Sequence, residues 1–278
     1  MSTHLLLIDC PDEPGLVSKV TSSLFNNGFN IIQNHEFVDA ANKYFFMRTA
    51  FSGNGSSGKI VGKLKSILPK QANIRLASAE KPPIVVMVTK EPHCIGDLLL
   101  RHAYNHLPGN ICAVISNYDI LQPLVEKFDI PFHYISHVER SRSDHEQEIL
   151  DVIEQYQPEY LVLAKYMRIL SGEFINRYQS RIINIHHSFL PAFMGAQPYR
   201  QAFERGVKII GATAHYVTED LDMGPIIAQD ILPVDHTYSP EDMAQAGRDI
   251  EKIVLAKALK MVLEERVFLH NNRTVVFE

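Results

Sequence analysis

Cysteine is scarce in this chain. Its 278 residues include three, Cys10, Cys94 and Cys112, and no two of them share the CxxC spacing. That excludes a disulfide-stapled scaffold, argues against a structural zinc site, and suits a reducing, cytoplasmic setting. Long apolar runs are also missing, so no membrane-spanning helix is expected. The opening stretch, MSTHLLLIDCPDEPG, has only a short apolar run and no basic segment before it, so no secretory leader is expected. There is no excess of basic charge: the formal net charge is −5, which argues against a dedicated nucleic-acid binder. Internal repeats, low-complexity tracts, a glycine-rich phosphate loop, HExxH and GxSxG are absent as well. What remains is an ordinary globular composition, 46% hydrophobic and 21% charged, with length enough for two domains.

The first 80 residues alternate in a β-α-β-β-α-β order. HLLLID (4–9) reads as a strand, and CPDEPG as a turn with Pro14 at the first helical position. Leu16, Val17, Val20 and Leu24 recur at helical spacing until Gly28. FNIIQNHEFVD and KYFFMRTAFS read as paired strands, GNGSSG (53–58) as a loop, KIVGKLKSIL as a helix and NIRLAS as a last strand. This is the split βαβ pattern of a ferredoxin-like domain over 1–80. AEKPP (79–83) reads as the linker. From residue 84 to 278 the pattern changes. IVVMVT, NICAVIS, FHYIS, YLVLA and RIINI are short apolar runs of the kind buried on both faces of a parallel sheet. Helical stretches separate them: CIGDLLLRHAYN, ILQPLVEKF, DHEQEILDVIEQY and SGEFINRY. A helix (QPYRQAFERG) and two more strands, KIIGATAHYV and GPIIAQDILPV, follow. A last helix opens at Ser239-Pro240-Glu241-Asp242 with a capping box. The fold class is therefore α/β, a mostly parallel, Rossmann-like sheet behind a smaller ferredoxin-like domain.

Ligands of open α/β sheets sit beyond the carboxyl ends of the strands. NIHHSFLP (184–191) lies at such an end. Alternation along a strand puts Asn184 and His186 on one face and turns His187 to the other, so one imidazole can pair with Asn184. DLDMGP (220–225) places Asp222 in a tight connection between two strands of the same sheet, from which a carboxylate could reach the NIHH end. An amide, an imidazole and a carboxylate suit acyl-transfer chemistry: the first two stabilise an oxyanion and the third orients or deprotonates a nucleophile. Equally, Asn184 and His186 can satisfy strand-end backbone groups and Asp222 can be a turn residue. A metal is not expected, because His186, His187 and His215 lack a ligand spacing. Nothing marks Ser188 as an activated nucleophile.

NIHHSFLPAF, followed by GATAHYVTEDLDMGPIIAQ, resembles the folate-dependent formyltransferase fold, in which an Asn-x-His strand end precedes a Thr-x-His strand and Asp-x-Gly-Pro-Ile. LAKYMRIL (163–170) resembles that family's pterin-binding segment. The resemblance implies a catalytic trio of Asn184, His186 and Asp222, a supporting His215, and folate contacts around Met167, Arg168 and Leu170. Glycinamide ribonucleotide transformylases carry a Gly-x-Gly-Ser-Asn phosphate loop where this chain has TKEPHCIGD (89–97), and a proline where it has His187. With the N-terminal domain and the tail HTYSPEDMAQAGRDIEKIVLAKAL, the chain is most similar to the formyltetrahydrofolate deformylases. That implies hydrolysis of 10-formyltetrahydrofolate to formate and tetrahydrofolate, with the folate as substrate and no cofactor. The formate would supply purine synthesis and balance one-carbon pools. The alternative is transfer of the formyl group to an amine. DCPDEPGLVSKVTSSLFNNGFNI resembles an ACT domain. This implies pairing into a homodimer or homotetramer and a small amino-acid effector at Asp12, Gly15 and Asn30, or a domain that serves pairing alone.

Overall fold

The computed structural model describes residues 3–192 and 198–278. Phe193, which closes NIHHSFLPAF, and Gln197, where a helix was expected to begin, lie outside the described residues. The chain divides into two compact units. One comprises Met1–Glu80 with Glu265–His270 and Val275–Glu278; the other comprises Lys81–Glu264 with Asn271–Thr274. The C-terminal tail therefore does not belong wholly to the second domain, as the expected boundary of 84–278 had it.

In the first unit, β1 (Thr3–Pro11), α1 (Leu16–Asn26), β2 (Phe29–Asp39), β3 (Tyr44–Gly53), α2 (Ser57–Ile67) and β4 (Asn73–Leu76) form a four-stranded sheet in the order β2-β3-β1-β4. This is the ferredoxin-like arrangement read from the sequence. Its core joins Leu6, Ile8, Leu24, Met47, Phe51, Ile60 and Leu64, all fully buried or nearly so. The helical spacing of Leu16, Val20 and Leu24 puts these three on the buried face of α1. Two local readings shift. Gly15, with φ 89°, is the N-cap of α1, so Pro14 lies before the helix and not at its first position. The 53–58 loop is shorter than expected, because α2 begins at Ser57.

The second unit holds β5 (Pro83–Val88), α3 (Pro92–Ala103), β6 (Asn110–Ser116), α4 (Gln122–Val125), β7 (Phe132–Tyr134), α5 (Arg142–Tyr156), β8 (Tyr160–Leu163), α6 (Gly172–Arg177), β9 (Ile182–His186), α7 (Pro198–Glu204), β10 (Ile209–Tyr216), β11 (Ile226–Pro233) and α8 (Pro240–Leu263). The sheet order is β11-β10-β9-β8-β5-β6-β7. Strands β5 to β9 run parallel, and β10 and β11 run antiparallel. Val85, Val86, Met87, Leu161, Val162 and Ile182 are fully buried, as continuous apolar runs require when helices cover both faces. Helix α8 opens with the expected capping box: Ser239 accepts from Asp242 N–H, and the Asp242 carboxylate accepts from Ser239 N–H. Two strands after α8, β12 (Val267–His270) and β13 (Arg273–Val276), form a hairpin that the sequence reading did not contain. Among the described residues no helix is long and apolar enough to cross a membrane.

Candidate active site

Register brings the separate motifs together. Strand β8 places Leu163 opposite Asn184 of β9, and β10 places His215 opposite Asn184 and Thr213 opposite His186. The pairing of β10 with β11 slips between Ala214 and His215. Such a bulge re-aims the strand end. His215 Nδ1 donates to the carbonyl of Tyr216 at 2.8 Å. That leaves Nε2 to face the Asn184 amide at 3.3 Å and the Asp222 carboxylate at 3.6 Å. Asn184 thus pairs with His215, not with the histidine two residues along its own strand. An Asn amide carries two N–H donors, so one remains for a ligand when His215 accepts the other.

Asp222 sits in the connection between β10 and β11 with φ 56°, a left-handed conformation that Asp tolerates better than most residues. Its Oδ2 lies 3.3 Å from His186 Nδ1, and its side chain is only 14% exposed. The hydrogen bond from His186, with the His215 ring beside it, outweighs burial and holds this carboxyl well below the usual carboxylate range. It is therefore an anion at any physiological pH. Gly224 is required two residues on: a Cβ there would lie 1.8 Å from the Tyr216 carbonyl oxygen. The close approach lets Tyr216 N–H bond Pro225 O at 2.9 Å and turns Asp222 toward the strand end. His186 Nε2 is buried with no partner among the described residues, so the imidazole has one nitrogen committed to Asp222 and one free for chemistry.

His187 departs from expectation. Strand β9 ends at His186, so alternation does not carry the next residue to the opposite face. The two ring centroids lie 5.1 Å apart. Burial, then the Lys165 cation and His186, push His187 down to about 4, so it is neutral. The segment after β8 is irregular. Met167 N–H donates to Thr89 Oγ1 at 3.0 Å, and Arg142 donates to the Ile169 carbonyl at 2.8 Å. Met167 and Ile169 are exposed, and Leu170 is buried. With Leu163 opposite Asn184, this segment leaves the sheet beside the strand end that carries Asn184 and His186. In the first unit Asp12 and Asn30 are exposed, at the end of β1 and the start of β2.

The sequence from 83 to 259 matches the Formyl transferase family. A formyltetrahydrofolate deformylase of Escherichia coli K12 is 54% identical over 267 residues, 96% of this chain and 95% of that protein. The chain belongs to the formyltetrahydrofolate deformylase family. The crystal structure of a formyltetrahydrofolate deformylase from Pseudomonas syringae superposes with a TM-score of 0.95 at 40% identity, covering 99% of this chain and 94% of that one. A glycinamide ribonucleotide transformylase from Symbiobacterium toebii reaches 0.69 at 27% identity and covers 72% of this chain and 96% of its own. The full-length match is thus with the deformylases, and the transformylase likeness is partial.

A polar cluster near this deformylase strand end has no counterpart in the sequence reading. Glu251 of α8, fully buried, accepts from His93 Nε2 at 2.8 Å and lies 3.2 Å from Lys165 Nζ. Tyr199 O–H donates to it at 2.6 Å. Burial would raise the Glu251 carboxyl, but the His93 bond, the Lys165 charge and the Tyr199 hydroxyl hold it at about 2. His93, Cys94 and Glu251 bring metal-type ligand atoms within 4.8 Å of one another, whereas His186, His187 and His215 form no such group among the described residues. The Glu251 oxygens are already bonded to Lys165, His93 and Tyr199, so the donor set is that of an ion-pair network. His93 and Glu251 lie 158 positions apart, and no local spacing signals such a pair.

Proposed function

We propose that this chain hydrolyses the linear amide C–N bond of 10-formyltetrahydrofolate, releasing formate and tetrahydrofolate. The observation that carries the reading is the single carboxylate of Asp222 set between two imidazoles, 3.3 Å from His186 and 3.6 Å from His215, with the Asn184 amide on the second of them. Asn184, His186 and Asp222 are the catalytic residues, and His215 supports Asn184. His186 Nδ1–H donates to Asp222, which fixes the ring and directs Nε2 at the reacting formyl group. A water oxygen bonds to the formyl carbon, and the carbonyl oxygen becomes an oxyanion facing the second Asn184 N–H and the His186 imidazolium. One proton of the water passes by way of the Asp222–His186 pair to the folate nitrogen, the C–N bond breaks, and the formic acid formed gives its remaining proton to solvent and departs as formate. Because Asp222 is so weak a base, it orients and relays; it does not retain the proton. Met167, Arg168 and Leu170 receive the pterin, largely through the backbone. His187 supports the site as a neutral packing group.

Water, not an amine, is the nucleophile. After β5 the chain has TKEPHCIGD and not a run of glycines, and the N-cap of α3 is Glu91, which repels an anionic acceptor from the amides there. The reading carries with it a cytoplasmic enzyme, no cofactor, and formate that supplies purine synthesis and one-carbon balance. The ferredoxin-like unit is an ACT-like module that pairs chains into a homodimer or homotetramer. It takes a small amino acid at Asp12, Gly15 and Asn30.

The test is incubation with 10-formyltetrahydrofolate and no acceptor, following formate and tetrahydrofolate. Equal amounts of both are expected, unchanged by added amines. Asn184→Ala, His186→Ala and Asp222→Asn should each lose about 10²–10³ in turnover while remaining folded by circular dichroism. Product that forms only with an amine would make the chain a transferase. No turnover at all would make it a folate-binding sensor.

A further inference from the structure

Apart from the Asp222 carboxylate and a bond from Thr218 Oγ1 to Asp220 O at 3.1 Å, the turn that bears Asp222 has no side-chain anchor of its own among the described residues. Leu221 and Met223, its apolar flanks, are 59% and 55% exposed, so burial does not hold it. Its internal turn bond, Met223 N–H to Asp220 O, is 3.3 Å long. On the strand side it rests on Tyr216 through Gly224 and Pro225. On the other side its carbonyls are taken by the tip of the C-terminal hairpin. Asn272 Nδ2 donates to Met223 O at 3.1 Å, and Thr274 Oγ1 donates to Ile226 O at 2.6 Å. These two acceptors bracket the peptide groups immediately after Asp222. Asp222, Met223, Gly224, Ile226, Asn272 and Thr274 also share one cleft of ≈ 390 Å³. The tip, Asn271–Thr274, is the only part of the tail that belongs to the same unit as the turn.

We propose that Asn272 and Thr274 are positioning residues that hold the Asp222 turn in its working geometry. The proposal rests on the reading of Asp222 as a catalytic residue. Two hydrogen bonds to a surface turn contribute little beside the stability of the whole chain. They act instead on the population of the one turn conformation that puts the carboxylate between His186 and His215. A displacement of about 1 Å at such a group costs on the order of 10²-fold in rate. The charged and titratable groups around Asp222 are His186 and His187 from the end of β9, His215 of β10, and Arg273 of the hairpin, which lines the same cleft. When the turn drifts, Asp222 loses the His186 bond and the His215 contact that keep it ionised.

Asn272→Ala, Thr274→Val and the double variant should be compared with wild type in the acceptor-free assay. The double variant is expected to lose on the order of 10- to 100-fold in kcat with KM for 10-formyltetrahydrofolate unchanged, because the 167–170 segment is untouched. The acid limb of its kcat/KM profile should move to higher pH. Thr274→Ser, which restores the hydroxyl, should return kcat to near wild type. A purely structural role for the tip would lower the melting temperature and leave kcat per folded molecule and the acid limb in place. That outcome overturns the proposal, as does wild-type kcat in the double variant. If the double variant does not fold, the contrast of Thr274→Val with Thr274→Ser decides the matter alone. Asp222→Asn measured alongside separates the two levels. Normal turnover there defeats the catalytic reading; loss of turnover there with normal Asn272 and Thr274 variants defeats only the positioning role.

Discussion

Asp222 owes its chemistry to residues far from it in sequence. Nothing in DLDMGP says that the carboxylate is an obligate anion. Two imidazoles, one from the end of β9 and one from the bulged end of β10, bring that about. Strand alternation made the shared face of Asn184 and His186 legible. It did not reveal that Asn184 bonds His215, because cross-strand register is set by the whole sheet. It also misdirected His187, whose position lies one residue past the end of the strand. His187 now carries a pH dependence of its own. Its folded value of about 4 lies below the ordinary value of about 6.5 for an unfolded histidine. Between those two values the unfolded state binds the extra proton, so stability falls as pH falls through this window. Lys165, Glu251, Asp222 and His186 are the charged and titratable neighbours that face it. Urea denaturation at pH 7.5 and pH 5 should show wild type losing on the order of 2 kcal/mol more than His187→Asn. Equal losses in the two proteins would mean that the ring is protonated in the folded state.

Among the elements, α8 shows how a helix whose start is obvious can hide its most consequential residue. Ser-Pro-Glu-Asp marked its N-terminus, and the structure buries Ile250, Val254 and Leu255 on one face. Glu251 lies in the middle of that face. It is fully buried because three other elements reach it: His93 from α3, Tyr199 from α7, and Lys165 from the turn after β8. Gly247, one turn earlier, makes the space, since a Cβ there would meet the Tyr199 ring at 2.1 Å. A buried pair stripped of one partner leaves an unpaired charge, and such losses run to about 3–5 kcal/mol. Glu251→Leu should therefore lower the unfolding free energy from urea denaturation by that order. Glu251→Leu combined with Lys165→Met should recover part of the loss, because no cation is then stranded. If the double variant is less stable than the single one by the full worth of a second independent lesion, the Lys165–Glu251 pair is not the coupled unit described.

At the scale of the whole molecule, the order of strands and helices was legible because each apolar run had its length and period in plain view. What was not legible is where the tail goes. RVFLH and RTVVF around Asn271-Asn272 do carry a hairpin signal, two apolar runs across an Asn-Asn turn with Asn271 at φ 55°. Nothing local assigns that hairpin to the first unit. The assignment comes from packing: Phe268 and Phe277 join Leu7 and Phe46 in a buried cluster, the face of β1 and β3 opposite the main core of that unit. Alternation along β1 explains this, since Leu6 and Ile8 go to one core and Leu7 to the other. A ferredoxin-like unit cut at Glu80 would leave Leu7 and Phe46 bare, so the ferredoxin-like sequence ends at residue 80 but the folded unit does not. The consequence is measurable in the full chain. Phe268→Ala and Phe277→Ala each empty a site in that cluster and should cost about 3–5 kcal/mol. Proteolysis of the folded variants should then cleave first within residues 3–80, where the exposed cluster lies, and not within 84–264. Cleavage confined to 84–264 would show that the tail stabilises the other unit instead.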